Sequence, residues 1–137
     1  MRAYIDSDIL IWHLRGEDKA TQFLRGILND SRYECWIGAM QRAEIVFFMR
    51  PEEETMTTLF LSQFKTAPVN QQIVDAAALL YRTWYKSHGI DINDAFLAAT
   101  ALDSGGTVFT LNIKHYPMPE LSVVQAWDSS ETQVTTA

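Results

Sequence analysis

Apolar residues in this chain fall into short continuous runs, separated by longer stretches in which they recur every three or four positions. The first run, Arg2 to Asp6, is broken by its acid, and Ser7 to Leu14 continues at helical spacing. A short apolar run bounded this way reads as a buried strand, and the 3.6-residue recurrence after it as a helix, which Gly16 can close. The alternation repeats. Glu17 to Leu28 is helical, with Ala20, Phe23, Leu24, Ile27 and Leu28 on one face, and Asn29-Asp30-Ser31 marks a turn. Tyr33 to Ile37 reads as a second strand, and Gly38 opens a helix running to about Met49. Pro51-Glu52-Glu53-Glu54 starts another, with proline and acids suited to a helix N-terminus. Ala67-Pro68-Val69 is read as a brief third strand. Gln71 to Lys86 is an amphipathic helix with Ile73, Ala77, Leu80 and Trp84 along its stripe, broken at Ser87-His88-Gly89. Asp91 or Ile92 to Leu102 is helical and ends at Ser104-Gly105-Gly106. Thr107 to Leu111 is a fourth strand and Leu121 to Val124 a fifth. Residues 129–137 read as a polar tail, which leaves 1–128 as a single domain.

Strands separated by helices imply a parallel sheet covered on both faces. In such sheets ligands bind outside the carboxyl ends of the strands. Asp6, Thr110 and Asn112 fall at such ends.

Composition narrows the class. With 137 residues, 47% hydrophobic and 20% charged, the chain can bury a real core. No apolar run is long enough to span a membrane, and Asp6 interrupts the start too early for a signal peptide. The single cysteine, Cys35, rules out an internal disulfide framework and a Cys-based zinc site, so a reducing cytoplasm is expected. The net charge of −6, from 17 acids and 11 bases, argues against gripping duplex nucleic acid by bulk electrostatics. An enzyme that meets nucleic acid through a bound cation remains compatible with it.

The acids carry the candidate chemistry. Asp6 either caps the following helix or belongs to a site at the strand end. Asp8 lies in the first helical turn, where the dipole favours acids. Glu44 has Met40, Ala43 and Phe47 within one turn, which sets its carboxylate on or beside an apolar stripe; Arg42 or another base could pair with it. Asp91 reads as an N-cap and Asp94 as its capping-box partner, leading into a small-residue helix suited to close packing. Lys114, His115 and Tyr116 follow the fourth strand in a loop. His13, His88 and Glu52-Glu53-Glu54 carry no functional assignment, and the four tryptophans and Cys35 read as core or interface. Three carboxylates from separate elements at one sheet edge describe a magnesium or manganese site. Such ions activate water and neutralise phosphodiester charge. No Gly-x-Ser-x-Gly elbow and no Walker phosphate loop is present.

Four segments, Tyr4-Ile5-Asp6-Ser7-Asp8-Ile9-Leu10-Ile11, Ala43-Glu44, Asp94 to Leu102 and Thr110-Leu111-Asn112-Ile113-Lys114-His115-Tyr116, together resemble a PIN domain. More narrowly they resemble the VapC-type ribonuclease toxins of prokaryotic toxin–antitoxin modules, over roughly residues 2 to 127. The resemblance implies an α/β fold: a PIN-like three-layer sandwich with a short parallel sheet of four to five strands flanked by helices. It implies an endoribonuclease dependent on Mg2+ or Mn2+, cutting single-stranded regions of RNA, with Asp6, Glu44 and Asp94 as metal-binding acids. Ser7 and Asp8 match supporting positions, and Thr110 and Asn112 could orient water or phosphate. A homodimer and neutralisation by a small antitoxin in a nearby groove are further implications. One departure stands out: His115 occupies the place where many members carry a fourth acid, with Asp91 as a candidate outer-shell substitute.

Two other readings compete. Asp6-Ser7-Asp8 after a strand also looks like the first motif of haloacid-dehalogenase-type phosphatases, with Asp6 as nucleophile and Asp8 as acid. With the fourth acid missing, the domain could also bind RNA or a partner without cutting.

Overall fold

The computed structural model describes residues 1–128; the expected polar tail lies outside the described residues. Five strands, β1 (Arg2–Ile5), β2 (Glu34–Gly38), β3 (Lys65–Ala67), β4 (Thr107–Thr110) and β5 (Ser122–Gln125), form one sheet in the order β3-β2-β1-β4-β5. Every pairing is parallel. The helices are α1 (Ser7–Leu14), α2 (Asp18–Leu28), α3 (Ala39–Val46), α4 (Glu54–Leu61), α5 (Gln71–His88) and α6 (Ile92–Ser104).

Successive strand residues face opposite sides of a sheet, and the two cores follow that rule. Ala3, Ile5, Cys35, Ile37 and Phe109 face one way and pack with α1 to α4. Tyr4, Trp36 and Val108 face the other and pack with α5 and α6. The result is the expected three-layer sandwich. Its chain runs outward from β1 to β3 on one side and then crosses to β4 and β5 on the other. The order therefore reverses between β1 and β4, and the carboxyl ends of those two strands are where open α/β sheets place a ligand crevice.

Several boundaries differ from the sequence expectation. The third strand is Lys65–Ala67 rather than Ala67-Pro68-Val69, because Pro68 has no N–H to give to a ladder. Helix α3 stops at Val46, short of Met49. The side chains of Phe47 and Phe48 find no core to enter and stand 78% and 81% exposed. Arg50, which precedes Pro51, is extended, as a pre-proline residue prefers. Helix α5 continues to His88, where Gly89 caps it with φ 64°; Gly105 does the same for α6 with φ 71°. Strand β4 ends at Thr110, since the Asn112 N–H turns back to the Thr110 hydroxyl. Cys35 is a buried free thiol, as expected.

Two glycines give opposite tests of this packing. A Cβ on Gly106 would lie 2.6 Å and 2.8 Å from ring carbons of the buried Tyr4, so Gly106→Ala is expected to destabilise by about 1–3 kcal/mol. Gly26, near the exposed end of α2, has open space, and Gly26→Ala should stabilise by about 0.5–1 kcal/mol. Urea unfolding of both variants measures the two signs.

Candidate active site

Asp6 leaves β1 as the N-cap of α1, its Oδ1 accepting the Ser7 N–H at 2.8 Å. Its own N–H donates to the Phe109 carbonyl, which keeps it in register with the end of β4. That register brings Thr110 alongside, and the Thr110 hydroxyl donates to Asp6 Oδ2 at 3.0 Å. The Tyr116 hydroxyl donates to the same oxygen at 2.6 Å. Of the two readings of Asp6, the cap is met by Oδ1, and Oδ2 is left facing Thr110 and Tyr116.

Asp94 arrives from the far end of the chain on α6. It and Asp91 form a reciprocal capping box: the Asp94 N–H donates to Asp91 Oδ1 and the Asp91 N–H to Asp94 Oδ2. The alanine-rich face of α6, with Ala95, Ala98 and Ala101 buried, lets the helix lie close against the sheet. Asp94 Oδ1 comes within 3.3 Å of the Tyr116 hydroxyl, so one phenol spans the gap between the two acids. His115 Nδ1 stands 3.1 Å from Asp94 Oδ2, where a fourth acid had been the family expectation. Asn112 flanks that ring, its side-chain nitrogen 3.2 Å from His115 Nδ1.

Glu44 lies half-buried on α3. Burial raises its pKa, the Ser7 and Asn93 side chains pull it back, and the charges of Asp6 and Asp91 raise it further. Arg42 does not pair with it; that guanidinium reaches Thr66 instead, at 3.3 Å. One turn before Glu44, the buried Gln41 donates to the Asn93 carbonyl at 3.0 Å and ties α3 to the start of α6. Asp8 points inward: its Oδ2 accepts from the Leu111 N–H at 3.0 Å with the Thr110 hydroxyl 3.2 Å away, and its Oδ1 accepts from the Ile9 N–H. It buttresses the end of β4 and does not stand free beside Asp6, as a phosphatase acid would.

The electrostatics are one-sided. Burial pushes Asp6 above the ordinary carboxylate range, against the pull of its three donors. Burial, then the charge of Asp6, lifts Asp8 to about 7. Asp94 is raised to about 7 by burial and by the charges of Asp91 and Asp6, despite the opposing Asp91 N–H. Tyr116 is raised well above its usual value by burial and by the same acids, so its phenol keeps its proton. Among the described residues no lysine or arginine pairs with Asp6, Asp8, Glu44 or Asp94. The acids gather oxygen donors without a fixed counter-cation, and such a donor set suits magnesium or manganese. Among the described residues, no three acid, imidazole or thiol groups are already closed around one point.

Every residue singled out from the sequence thus lies in or beside one cluster: Asp6, Asp8, Thr110 and Asp94 at its centre, Ser7, Glu44, Asp91, Asn112 and His115 around it. Sequence reasoning missed Tyr116, Gln41 and Asn93. Tyr116 had been named only as a loop residue, and nothing local could reveal that its hydroxyl would meet an acid 110 positions away.

The PIN domain family model matches residues 3–120. Ribonuclease VapC10 of Mycobacterium tuberculosis is 33% identical over 117 residues, 85% of this chain and 86% of the relative. Ribonuclease VapC19 of the same organism is 33% identical over 119 residues, 85% of this chain and 94% of the relative. Among solved structures, a toxin–antitoxin complex from Klebsiella pneumoniae superposes with TM-score 0.74 at 24% identity, covering 91% of this chain and 98% of that one. VapBC2 from Rickettsia felis, bound to a promoter DNA fragment, gives TM-score 0.73 at 22% identity, covering 93% and 100%. With the family model and both relatives spanning most of its length, the chain belongs to the PIN domain family.

Proposed function

We propose that the protein is an endoribonuclease dependent on Mg2+ or Mn2+, acting as the toxin of a toxin–antitoxin pair. The observation that carries this reading is the meeting of Asp6 and Asp94 across the Tyr116 hydroxyl at the carboxyl edge of the sheet, with no lysine or arginine among the described residues to neutralise them. The names of the two Mycobacterium relatives, both ribonucleases, support the reaction class. In it Asp6, Glu44 and Asp94 hold the cation. When bound, the ion supplies polarisation of a water and charge neutralisation at the phosphodiester. Ser7 and Asn93 steady Glu44, Thr110 steadies Asp6, and Asp91 steadies Asp94 through the capping box. Asn112 and His115 sit at the rim, where their N–H groups can meet a phosphate oxygen. The net charge of −6 means that RNA is held by few local contacts and not by a broad basic face, which favours unpaired segments able to bend into the crevice.

The partner reading has its own support. A groove of 610 Å³ between α1, α3 and α4 opens beside Glu44 and is lined by Ile11, Leu14, Ile45, Phe48 and Met56. Phe48 and Met56 are 81% and 71% exposed there. An apolar helix of a small antitoxin, laid in that groove, would cover Glu44. The Klebsiella pneumoniae structure whose fold matches is a toxin–antitoxin complex. A second apolar hollow between α5 and α6, flanked by Val74, Tyr81, Ile92 and Phe96, is the face on which two copies would meet. No helix among the described residues is long and apolar enough to cross a membrane, and the free Cys35 thiol fits residence in the cytoplasm.

Asp6→Asn and Asp94→Asn should each lower cleavage of an RNA pool by more than about 100-fold while far-UV circular dichroism stays unchanged. Wild-type cleavage by both would remove the assignment of these acids as the metal site. Phe48→Asp should leave cleavage intact and release it from inhibition by the co-expressed antitoxin; continued full inhibition would move the docking site elsewhere. Stability should also depend on pH in a direction set by the raised acids. A carboxyl that keeps its proton in the folded chain stabilises fully below the ordinary value of 3.8, and that contribution is lost as pH rises towards about 7. In chelator the melting temperature should therefore fall from about pH 5 to pH 7.5. Added Mn2+ should flatten the fall and Asp8→Asn should reduce it. A melting temperature that rises over this window contradicts the assignment.

A further inference from the structure

We propose that Tyr116 is a positioning residue that fixes Asp6 as a one-point ligand and so tunes the site towards small divalent cations over calcium. This rests on the metal-dependent reading above and concerns a residue that neither the motifs nor the reaction class assigns.

An ionised carboxylate offers about four acceptor sites, two on each oxygen. On Asp6, Oδ2 accepts from Tyr116 at 2.6 Å and from Thr110 at 3.0 Å, the one Thr110 proton going to this nearer oxygen and not to Asp8 Oδ2 at 3.2 Å. Oδ1 accepts from the Ser7 N–H at 2.8 Å, and the Ser7 hydroxyl, at 3.5 Å, is at the limit of hydrogen bonding. Oδ2 is therefore saturated, and the one acceptor site left open lies on Oδ1. A cation can take Asp6 through that single point. Gripping both oxygens would require displacing Tyr116 or Thr110 from buried hydrogen bonds, and a buried donor left without a partner is costly.

Tyr116 is well held for this task. It is 4% exposed, its ring belongs to the core beneath α5 and α6, and its N–H closes the 3-10 turn Ile113–His115 on the Ile113 carbonyl. A phenol has one proton to give, and the shorter contact shows that Asp6 receives it. Towards Asp94 Oδ1, 3.3 Å away, the phenol then presents its oxygen, which keeps the two acids from closing on each other. Calcium takes six to eight oxygens and commonly grips a carboxylate by both, whereas magnesium keeps several waters and uses carboxylates singly. A site whose central acid has one free point should favour magnesium and manganese.

The test is calorimetric titration of the metal-free, full-length protein with MnCl2, MgCl2 and CaCl2, without RNA. Wild type should bind Mn2+ more tightly than Ca2+. Tyr116→Phe keeps the ring and removes the donor; it should lose about tenfold or more of the Mn2+ affinity and narrow the ratio of Mn2+ to Ca2+ affinity. Thr110→Val should narrow that ratio too, and Thr110→Ser, which keeps the hydroxyl, should restore it. The Thr110 pair decides the matter if Tyr116→Phe does not fold. Unchanged Mn2+ affinity in Tyr116→Phe, or an equal loss for both ions, overturns the positioning role while leaving the metal site standing. A wild-type protein that binds none of the three ions overturns both.

Discussion

Two carboxylates that fold into the same dry crevice repel each other unless something between them carries a proton or a positive charge. Asp6 and Asp94 are in that position, and much of this architecture makes sense as a means of imposing it. Each is buried, each is pushed above the ordinary carboxylate range, and each feels charge from its acidic neighbours. In this arrangement the Tyr116 phenol stands between them, its single proton on Asp6 Oδ2 and its oxygen 3.3 Å from Asp94 Oδ1. Nothing in the hydrophobic core requires acids here. The core would be better served by apolar side chains of similar volume, since buried charge is costly when unpaired. The cost is understandable if the pair exists to hold a cation.

The surrounding framework turns that repulsion into a fixed geometry. The reversal of strand order between β1 and β4 opens the crevice, and the Asp6 N–H bond to Phe109 sets the register of its two walls. Asp8 ties the start of α1 to the end of β4 through Thr110 and Leu111. On the other wall, small residues let α6 approach the sheet, and the Asp91–Asp94 capping box fixes the side chain at its first turn. Gln41 links α3 to Asn93 and so holds Glu44 near that same turn, with Gly38 leaving the room that the Gln41 side chain occupies. Helix ends, strand ends and one buried amide thus act on one small volume.

The sheet was legible because a fully buried parallel strand is a short apolar run and its helices are periodic; both signals are local. Asp6, Glu44 and Asp94 were legible as candidates because Asp6 ends an apolar run, Glu44 lies beside an apolar stripe and Asp94 opens a helix of small residues suited to close packing. The boundary errors have equally local causes. Phe47 and Phe48 continued an apolar run that no longer faced a core, and Val69 invited a strand across a proline that cannot join one. Tyr116, Gln41 and Asn93 were hidden for a different reason. Each is an ordinary residue for its element, and its importance comes from a partner far away in sequence, which only the folded chain supplies.

The central claim is that these acids are gathered to share a divalent ion, and it is tested most directly by locating that ion. Crystals of the protein grown with Mn2+, with data collected at the manganese absorption edge, would show its position by anomalous scattering. The account predicts one strong peak in the crevice between β1 and β4, in contact with Asp6 and Asp94 and with Glu44 directly or through a water. A peak confined to another surface, or a crevice without anomalous signal at saturating Mn2+, would contradict it.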